Sequence, residues 1–156
     1  MNPHIVDVTD ADGRVIAPGW LAAAESTHRE LRPHLPSDYA ATMQRIFAGG
    51  GRMSVAVVDD RVVGVAVHRI YENTFCGVHL YLDDLVTAAA VRSQGIGAML
   101  LAHVRRVAVA SGCRHVTLDS GTQRQQAHRF YFREGFVATA FHFYSMVGSQ
   151  GDEHEG

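Results

Sequence analysis

The sequence has little cysteine, little net charge and no long apolar run, and each of these absences excludes a class of protein. Its 156 residues include two cysteines, Cys76 and Cys113, which lie far apart and in no motif, so a disulfide-stapled secreted domain is not expected. A formal net charge of −2 argues against nucleic-acid binding, which needs a basic face. No apolar run approaches the roughly 20 residues that span a bilayer, and the first residues do not have the pattern of a signal peptide. We therefore expect a cytoplasmic protein without nucleic-acid or membrane partners.

The ten histidines do not form a metal-binding pattern. They are scattered along the chain, with no His-Glu-x-x-His helix and no cluster of Cys and His ligands. We therefore expect no metal site. Length and an apolar fraction of 47% are typical of one soluble domain, which we place at residues 1–147. The polar residues 148–156 are expected to be a disordered tail.

The order of elements predicts an α/β or α+β fold. Alternating apolar residues and turn signals predict strands at 4–9, 53–58, 62–69, 77–87, 115–120 and 136–147, the fourth being the longest of the first four. Helical patterns predict helices from Pro18 to Leu31, from a Ser37 cap to Ala48, from Ile96 to near Gly112, and over 123–134 after a Thr122 cap. The residues Asp59, Asp60 and Arg61 are typical of a hairpin turn between the second and third strands.

The stretch Arg92-Ser93-Gln94-Gly95-Ile96-Gly97 leads from the fourth strand into the third helix and suggests an anion site. The first N–H groups of a helix have no partner inside the helix, and the helix dipole adds partial positive charge there. Glycine lets the backbone approach a phosphate without a Cβ in the way. Close packing of the helix on the sheet would also explain these glycines.

Three kinds of phosphate loop can be compared with this stretch. An NTPase P-loop needs Lys and then Ser or Thr after its second glycine, where this chain has Ala98 and Met99. A dinucleotide fingerprint needs a third glycine where this chain has Leu100, although Asp119 could serve as its ribose-binding acid. The third kind, Arg-x-x-Gly-x-Gly after a long strand, resembles the pyrophosphate loop of the GNAT N-acetyltransferases.

A second motif carries the same resemblance. The segment from Ala127 to Phe136, AHRFYFREGF, is similar to the Ala-x-x-Phe-Tyr-x-x-x-Gly-Phe segment of that family and follows the loop in the right order. The resemblance covers residues 53–147 well and the N-terminal helices loosely. It implies a mixed, mostly antiparallel sheet of six to seven strands, with about four helices and a splayed parallel pair of strands at the coenzyme cleft.

The resemblance also implies which residues hold acetyl-coenzyme A, the cosubstrate. The strand before the loop would pair with the pantetheine arm, and the loop amides would bind the pyrophosphate. The matching residues are Leu85, Val86, Thr87, Arg92, Ser93, Gln94, Gly95, Ile96, Gly97 and Ala98, with Arg124, Ala127 and Phe130 from the second motif. Two departures from the family pattern are Thr87-Ala88-Ala89, where many members have Val-x-Pro, and Arg124, where Asn is frequent.

The catalytic residues implied are an acid and a base. Tyr131 matches the tyrosine that often protonates the departing thiolate, a role suited to a hydroxyl of pKa ~10. Asp83 and Asp84 are candidates for deprotonating the amine, and strand alternation predicts that only one of them faces the cleft. Either aspartate could instead pair with an arginine. Further candidate bases are Glu72, His68 and His79.

The sequence thus predicts an acetyl-coenzyme A-dependent N-acetyltransferase that acts on a primary amine by direct transfer. The acidic pair resembles that of some polyamine acetyltransferases, which suggests a cationic amine. Substrate choice is expected to depend on the N-terminal helices and the loop around residues 71–76. A non-catalytic acyl-coenzyme A-binding or regulatory domain, a protein N-terminal or lysine acetyltransferase, and a homodimer remain open.

Overall fold

The computed structural model describes residues 2–148, which form five strands and four helices. The strands are β1 (His4–Asp7), β2 (Arg52–Val58), β3 (Arg61–Asn73), β4 (Gly77–Thr87) and β5 (Val116–Leu118). The helices are α1 (Pro18–Leu31), α2 (Tyr39–Ala48), α3 (Ile96–Ala110) and α4 (Gln125–Arg133). A single 3₁₀ turn, Ala89–Val91, lies between β4 and α3.

The strands form one mixed sheet in the order β1-β2-β3-β4-β5. All neighbours are antiparallel except β4 and β5, which are parallel. The predicted hairpin between β2 and β3 is confirmed, because Asp59 and Asp60 both adopt positive φ, as a two-residue type I′ turn requires. The mixed α/β fold is confirmed, but the expected six to seven strands are wrong: the described residues contain five.

Helices cover both faces of the sheet. On one face α1 and α2 enclose the main apolar core, which includes Met43, Phe47, Val65 and Val67. On the other face lies α3, whose Ile96 and Leu100 approach Gly64 of β3. Since side chains alternate along a strand, the odd-numbered residues 65 and 67 of β3 face α1 and α2, and the even-numbered residues of the segment 64–68 face α3.

Some predicted boundaries differ from the structure. The longest strand is β3, not β4, because the β3–β4 hairpin extends to Asn73 and Gly77. Helix α2 is capped by Asp38, whose side chain accepts a hydrogen bond from the Ala41 amide, rather than by Ser37. The residue before α4 is Arg124, with no side-chain cap, so the predicted Thr122 cap is also wrong.

The predicted strand at 136–147 is not formed. Within the described residues this segment is not a strand of the sheet, and residues 137–147 are exposed. Its aromatic and β-branched residues have high strand propensity, but a strand exists only where a neighbouring strand satisfies its backbone groups.

The chain divides into two compact units, residues 1–119 and 120–156. The first contains the sheet and α1 to α3, and the second contains α4. Residues 149–156, which make up most of the predicted tail, lie outside the described residues. Over residues 2–148, no helix is long and apolar enough to cross a membrane.

Candidate functional site

A β-bulge in β4 determines where the two adjacent aspartates point. Asp84 pairs with Val67 and Leu82 pairs with His68, which leaves Asp83 without an opposite residue on β3. Bulges re-aim side chains and are frequent beside active sites. Here the bulge breaks the alternation, so both carboxylates lie on the face that α1 and α2 cover. The prediction that strand alternation would place them on opposite faces is wrong.

Asp83 lies in a pocket on that face of the sheet. The pocket has a volume of about 510 Å³ and is lined by Gly49, Gly50, Arg69, Ile70, Tyr71, Tyr81 and Asp83. Within it, Arg69 Nε donates a hydrogen bond of 2.9 Å to Asp83 Oδ2. The pocket is open to solvent, and its volume lies within the range of small-molecule sites.

Asp84 does not line this pocket, because α1 and its C-cap residue hold the carboxylate. His28 Nε2 donates to Asp84 Oδ2 at 2.7 Å, and Arg32 Nε donates to Asp84 Oδ1 at 2.8 Å. Tyr39 of α2 extends this hydrogen-bond network, because its hydroxyl forms a 2.8 Å hydrogen bond with His28 Nδ1. His28 is 1% exposed, so this network fastens α1 to the sheet from within the core.

The two carboxylates consequently differ in pKa. Burial raises the pKa of Asp83, and the hydrogen bond and charge of Arg69 only partly offset this effect. Burial also acts to raise the pKa of Asp84, but His28 and Arg32 outweigh it and hold that pKa below its ordinary value. Of the pair, Asp83 is therefore the stronger base, and it is the one in contact with the pocket.

Tyr81 lines the same pocket and is fixed by a hydrogen bond. Its hydroxyl donates to Asp119 Oδ2 at 2.6 Å. Burial, followed by the hydrogen bond to Asp119 and that residue's charge, raises the pKa of Tyr81 well above its usual range. The phenol therefore stays protonated at neutral pH and acts as a fixed wall of the pocket.

Beyond the bulge, β4 has a free edge within the described residues. Pairing with β5 ends at Leu82, whereas β4 continues to Thr87. On the other edge, Leu85, Val86 and Thr87 pair with β3. Backbone N–H and C=O groups on the β5 side of this stretch are thus available to an extended ligand.

The loop that was predicted to bind an anion contains two residues in the left-handed conformation. Ser93 and Gly95 both adopt positive φ, 63° and 83°, and Gly95 immediately precedes α3. The first helical hydrogen bond is from the Met99 amide to the Gly95 carbonyl, so the amides of Ile96, Gly97 and Ala98 have no partner inside the helix. No acidic side chain stands in the first turn and no side chain caps it.

Arg92 and Gln94 complete this loop and are exposed. One guanidinium nitrogen of Arg92 lies 3.9 Å from a carboxylate oxygen of Glu30, and the same oxygen accepts a 2.8 Å hydrogen bond from the Ala89 amide. Glu30 thereby ties α1 to the start of the loop. At 3.9 Å, with both side chains partly exposed, this ion pair leaves Arg92 able to reach an anion.

The second predicted motif lies in the unit formed by residues 120–156. Tyr131 is half-buried on α4, and its ring makes edge contacts with Phe130 and Phe136 at 5.3 and 5.6 Å between centroids. Arg124 is the N-cap of α4, and Ala127 is half-buried in its first turn. The roles proposed for these residues stay predictions.

The other candidate bases are not placed in the pocket. His68 faces α3, is 4% exposed, and burial lowers its pKa to about 4. His79 is buried, donates to the Gly77 carbonyl and packs against the Tyr71 ring at 4.3 Å. Glu72 is exposed on the hairpin. Among residues 2–148, no group of three or more His, Cys, Asp or Glu side chains is arranged to hold a metal ion.

Arg69 and Tyr81 were not singled out by the sequence. A signal for both existed: polar side chains recur at every second position of β3 and β4, at Arg69 and Tyr71 and at Tyr81 and Asp83. This period of two predicts a shared face for each strand. The pairing of Arg69 with Tyr81 across the hairpin needs the register, which the structure supplies.

Comparisons with known proteins give a consistent family. The family model of the acetyltransferase (GNAT) family matches residues 18–136. The uncharacterized N-acetyltransferase YhdJ of Bacillus subtilis (strain 168) is 40% identical to this chain in a region that covers 50% of the chain and 66% of the relative. The aminoalkylphosphonate N-acetyltransferase of Salmonella typhimurium (strain LT2) is 37% identical over 40% of each protein. The matches thus span 66% and 40% of these two relatives' lengths.

Solved structures share the fold at low sequence identity. The structure of AAC(6')-Iy in complex with a bisubstrate analogue has a TM-score of 0.79 and 18% identity, covering 96% of this chain and all of that one. The aminoglycoside acetyltransferase meta-AAC0020 from an uncultured soil metagenomic sample, in complex with trehalose, has a TM-score of 0.75 and 17% identity, covering 94% of this chain and 97% of that one. At such identities the likeness extends to the fold alone.

Proposed function

Because this chain belongs to the acetyltransferase (GNAT) family, we propose that it transfers the acetyl group of acetyl-coenzyme A to the nitrogen of a small primary amine. The observation that carries the proposal is the free edge of β4 beyond Leu82, which is followed, after the 3₁₀ turn and the loop of residues 92–95, by the uncapped N-terminus of α3. These two features offer an extended ligand with a phosphate end the two kinds of contact that it needs.

The residues present fit acetyl-coenzyme A. Backbone groups of Leu85, Val86 and Thr87 would hold the pantetheine arm, and the amides from Ser93 to Ala98 would bind the pyrophosphate beside the Arg92 charge. Arg124, Ala127 and Phe130 are proposed as further coenzyme contacts, from the motif that includes Tyr131.

The pocket of Asp83 is proposed as the acceptor site. An amine is an ammonium ion at neutral pH and must lose a proton before it attacks. Asp83, with its raised pKa, would take up that proton. The names of two similar proteins point to amine acceptors, an aminoalkylphosphonate in one and aminoglycosides in the other.

The reaction proposed is a direct transfer. The neutral nitrogen attacks the thioester carbonyl, a C–N bond forms, and the C–S bond breaks as the thiolate leaves. Tyr131 would give the thiolate its proton, and the nitrogen would pass its second proton to water to yield an amide. Neither Cys76 nor Cys113 lies in a motif that would suggest a covalent acyl-enzyme.

A thiol-release assay with acetyl-coenzyme A and a panel of amines tests this function. The sequence contains no lysine, so acetylation of the enzyme's own lysine side chains cannot supply a background. We expect amine-dependent thiol release, with a product 42 mass units heavier than the amine (roughly the mass of an acetyl group minus a hydrogen). Coenzyme binding without thiol release for any amine would instead indicate a non-catalytic acyl-coenzyme A-binding domain.

A further inference from the structure

The acceptor pocket carries one charge of each sign. Asp83 and Arg69 are the charged residues that line it, and they pair with each other at 2.9 Å. Asp84 adds no free negative charge, because Arg32 and His28 hold both of its oxygens. The acidic pair in the sequence therefore does not make an acidic pocket.

Arg69 has more hydrogen-bonding capacity than this ion pair uses. Its guanidinium has five N–H donors, and within the part of the chain that the structure describes only Nε is engaged, by Asp83. The side chain is 39% exposed and borders the pocket. The remaining four donors form the fork that matches a carboxylate or a phosphonate.

We propose that the acceptor is a zwitterion, a small amine that also carries an anionic oxyacid group, and that Arg69 selects it by binding that group. This inference rests on the proposed function of the pocket. Such a ligand places its ammonium group at Asp83 and its anionic group at Arg69. Each charged side chain of the pocket then lies beside a ligand group of opposite charge. A diamine would place its second positive charge beside Arg69, where like charges repel.

The test compares three amines of similar length: 2-aminoethylphosphonate, β-alanine and propylamine, with 1,3-diaminopropane as the dication. We expect kcat/KM for the better of the two anionic amines to exceed that for propylamine by at least about tenfold, as for a charge-assisted hydrogen bond. The ratio between 2-aminoethylphosphonate and β-alanine distinguishes phosphonate from carboxylate. The highest kcat/KM for 1,3-diaminopropane would overturn the proposal.

Arg69→Gln separates anion binding from an effect on the base. Loss of the ion pair changes how well Asp83 acts as a base, and this effect is the same for every amine. Loss of anion binding, in contrast, reduces only the preference for anionic amines. We expect the ratio of kcat/KM between the better anionic amine and propylamine to fall at least about tenfold, mainly through KM. Arg61→Gln, at the exposed start of the same strand, is the matched control and should keep the wild-type ratio. An unchanged ratio in Arg69→Gln would contradict the proposal.

A binding measurement keeps this test independent of catalysis. If no amine releases thiol, the proposed function fails, but calorimetric titration of the two anionic amines into the protein still decides the inference. Binding that is lost in Arg69→Gln and kept in Arg61→Gln would support it. Equal binding by the wild type and Arg69→Gln, or no binding of either anionic amine, would overturn it.

Discussion

At the scale of single residues, Asp83 and Asp84 show how adjacent identical side chains acquire different tasks. A bulge places both on one face, but α1 and Arg32 hold only the carboxylate of Asp84. The carboxylate of Asp83 is left facing the pocket with Arg69. The carboxylate of Asp84 therefore stabilises the fold, and the carboxylate of Asp83 is the one proposed to act in the reaction.

Substituting each aspartate by asparagine should separate these tasks. Asp83→Asn should lower kcat by at least about tenfold, since a general base contributes typically 100-fold or more, and should hardly change stability. Asp84→Asn should lower the free energy of unfolding by roughly 1–3 kcal/mol, because it removes a charged acceptor from the buried His28. Kinetics and urea unfolding of both variants test this prediction, and similar small effects in both would place the base elsewhere.

His68 should make stability depend on pH. Its pKa is about 4 in the folded protein, because it is buried and lies near the charges of His103 and Arg52, against about 6.5 in an unfolded chain. Between these values the unfolded state binds a proton that the folded state does not, so stability is complete above about pH 6.5 and falls toward pH 4. The loss attributable to His68 is about 3 kcal/mol at most.

The variant His68→Gln isolates this contribution. Its free energy of unfolding, measured by urea titration from pH 7 to pH 4, should fall less steeply than that of the wild type. Parallel curves for the two proteins would show that His68 does not bind its proton differently on unfolding.

At the scale of elements, the N-terminus of α3 is the proposed pyrophosphate site. Gly97→Glu would put a carboxylate among the amides that we propose for the anion, and should weaken acetyl-coenzyme A binding by at least about tenfold through charge repulsion and steric overlap. Ala102→Glu makes a similar charge change at an exposed position of the same helix and should leave affinity unchanged. Calorimetry measures the acetyl-coenzyme A affinity of both folded variants. An unchanged affinity in Gly97→Glu would place the pyrophosphate site elsewhere.

The docking of α3 on the sheet depends on Gly64. A Cβ at this position would lie 2.7 Å from Leu100 Cδ1 and 3.0 Å from Ile96 Cγ2. Gly64→Ala should therefore destabilise the fold by roughly 1–3 kcal/mol and, because Ile96 begins α3, also weaken coenzyme binding. Gly19→Ala in α1 meets no atom within 4 Å and should be neutral or slightly stabilising. Equal stability of the two variants, measured by thermal unfolding, would contradict this role for Gly64.

Sequence patterns predicted the elements better than the contacts between them. Helix α1 and strand β4 have the predicted bounds, since Pro18 marks a helix start and turn residues flank β4. The bulge at Asp83 was not predictable, because register is a property of two paired strands and not of one. For the same reason residues 136–147 resembled a strand, although propensity alone does not provide a partner.

In the candidate site, too, local features were predicted better than contacts between elements. Local chemistry was sufficient to predict a glycine-rich turn and the start of α3 at Ile96, because both are local features, and the binding of an anion there stays a prediction. It was not sufficient for Arg69 and Tyr81, which become pocket residues only through the β3–β4 pairing. Local chemistry also could not show that His28 and Arg32 hydrogen-bond to Asp84, because each of them lies more than 50 positions from Asp84 in the chain.

At the scale of the whole molecule, the proposed activity needs an acid as well as a base, and the candidate acid is Tyr131. The tyrosine lies on α4, in the unit of residues 120–156, whereas Asp83 belongs to the unit of residues 1–119. Its role was inferred from a motif, and kinetics can test that role directly.

Tyr131→Phe removes only the hydroxyl and keeps the ring that packs between Phe130 and Phe136. General acid catalysis is worth typically ~100- to 10,000-fold, or roughly 3–5 kcal/mol of barrier, and water can replace part of it. We therefore expect kcat to fall at least about tenfold, with coenzyme affinity and stability nearly unchanged. If the ionisation of this tyrosine sets the alkaline limb of the kcat–pH profile, that limb should weaken in the variant. A wild-type rate in Tyr131→Phe with a good acceptor would make the tyrosine a packing residue and leave water to protonate the thiolate.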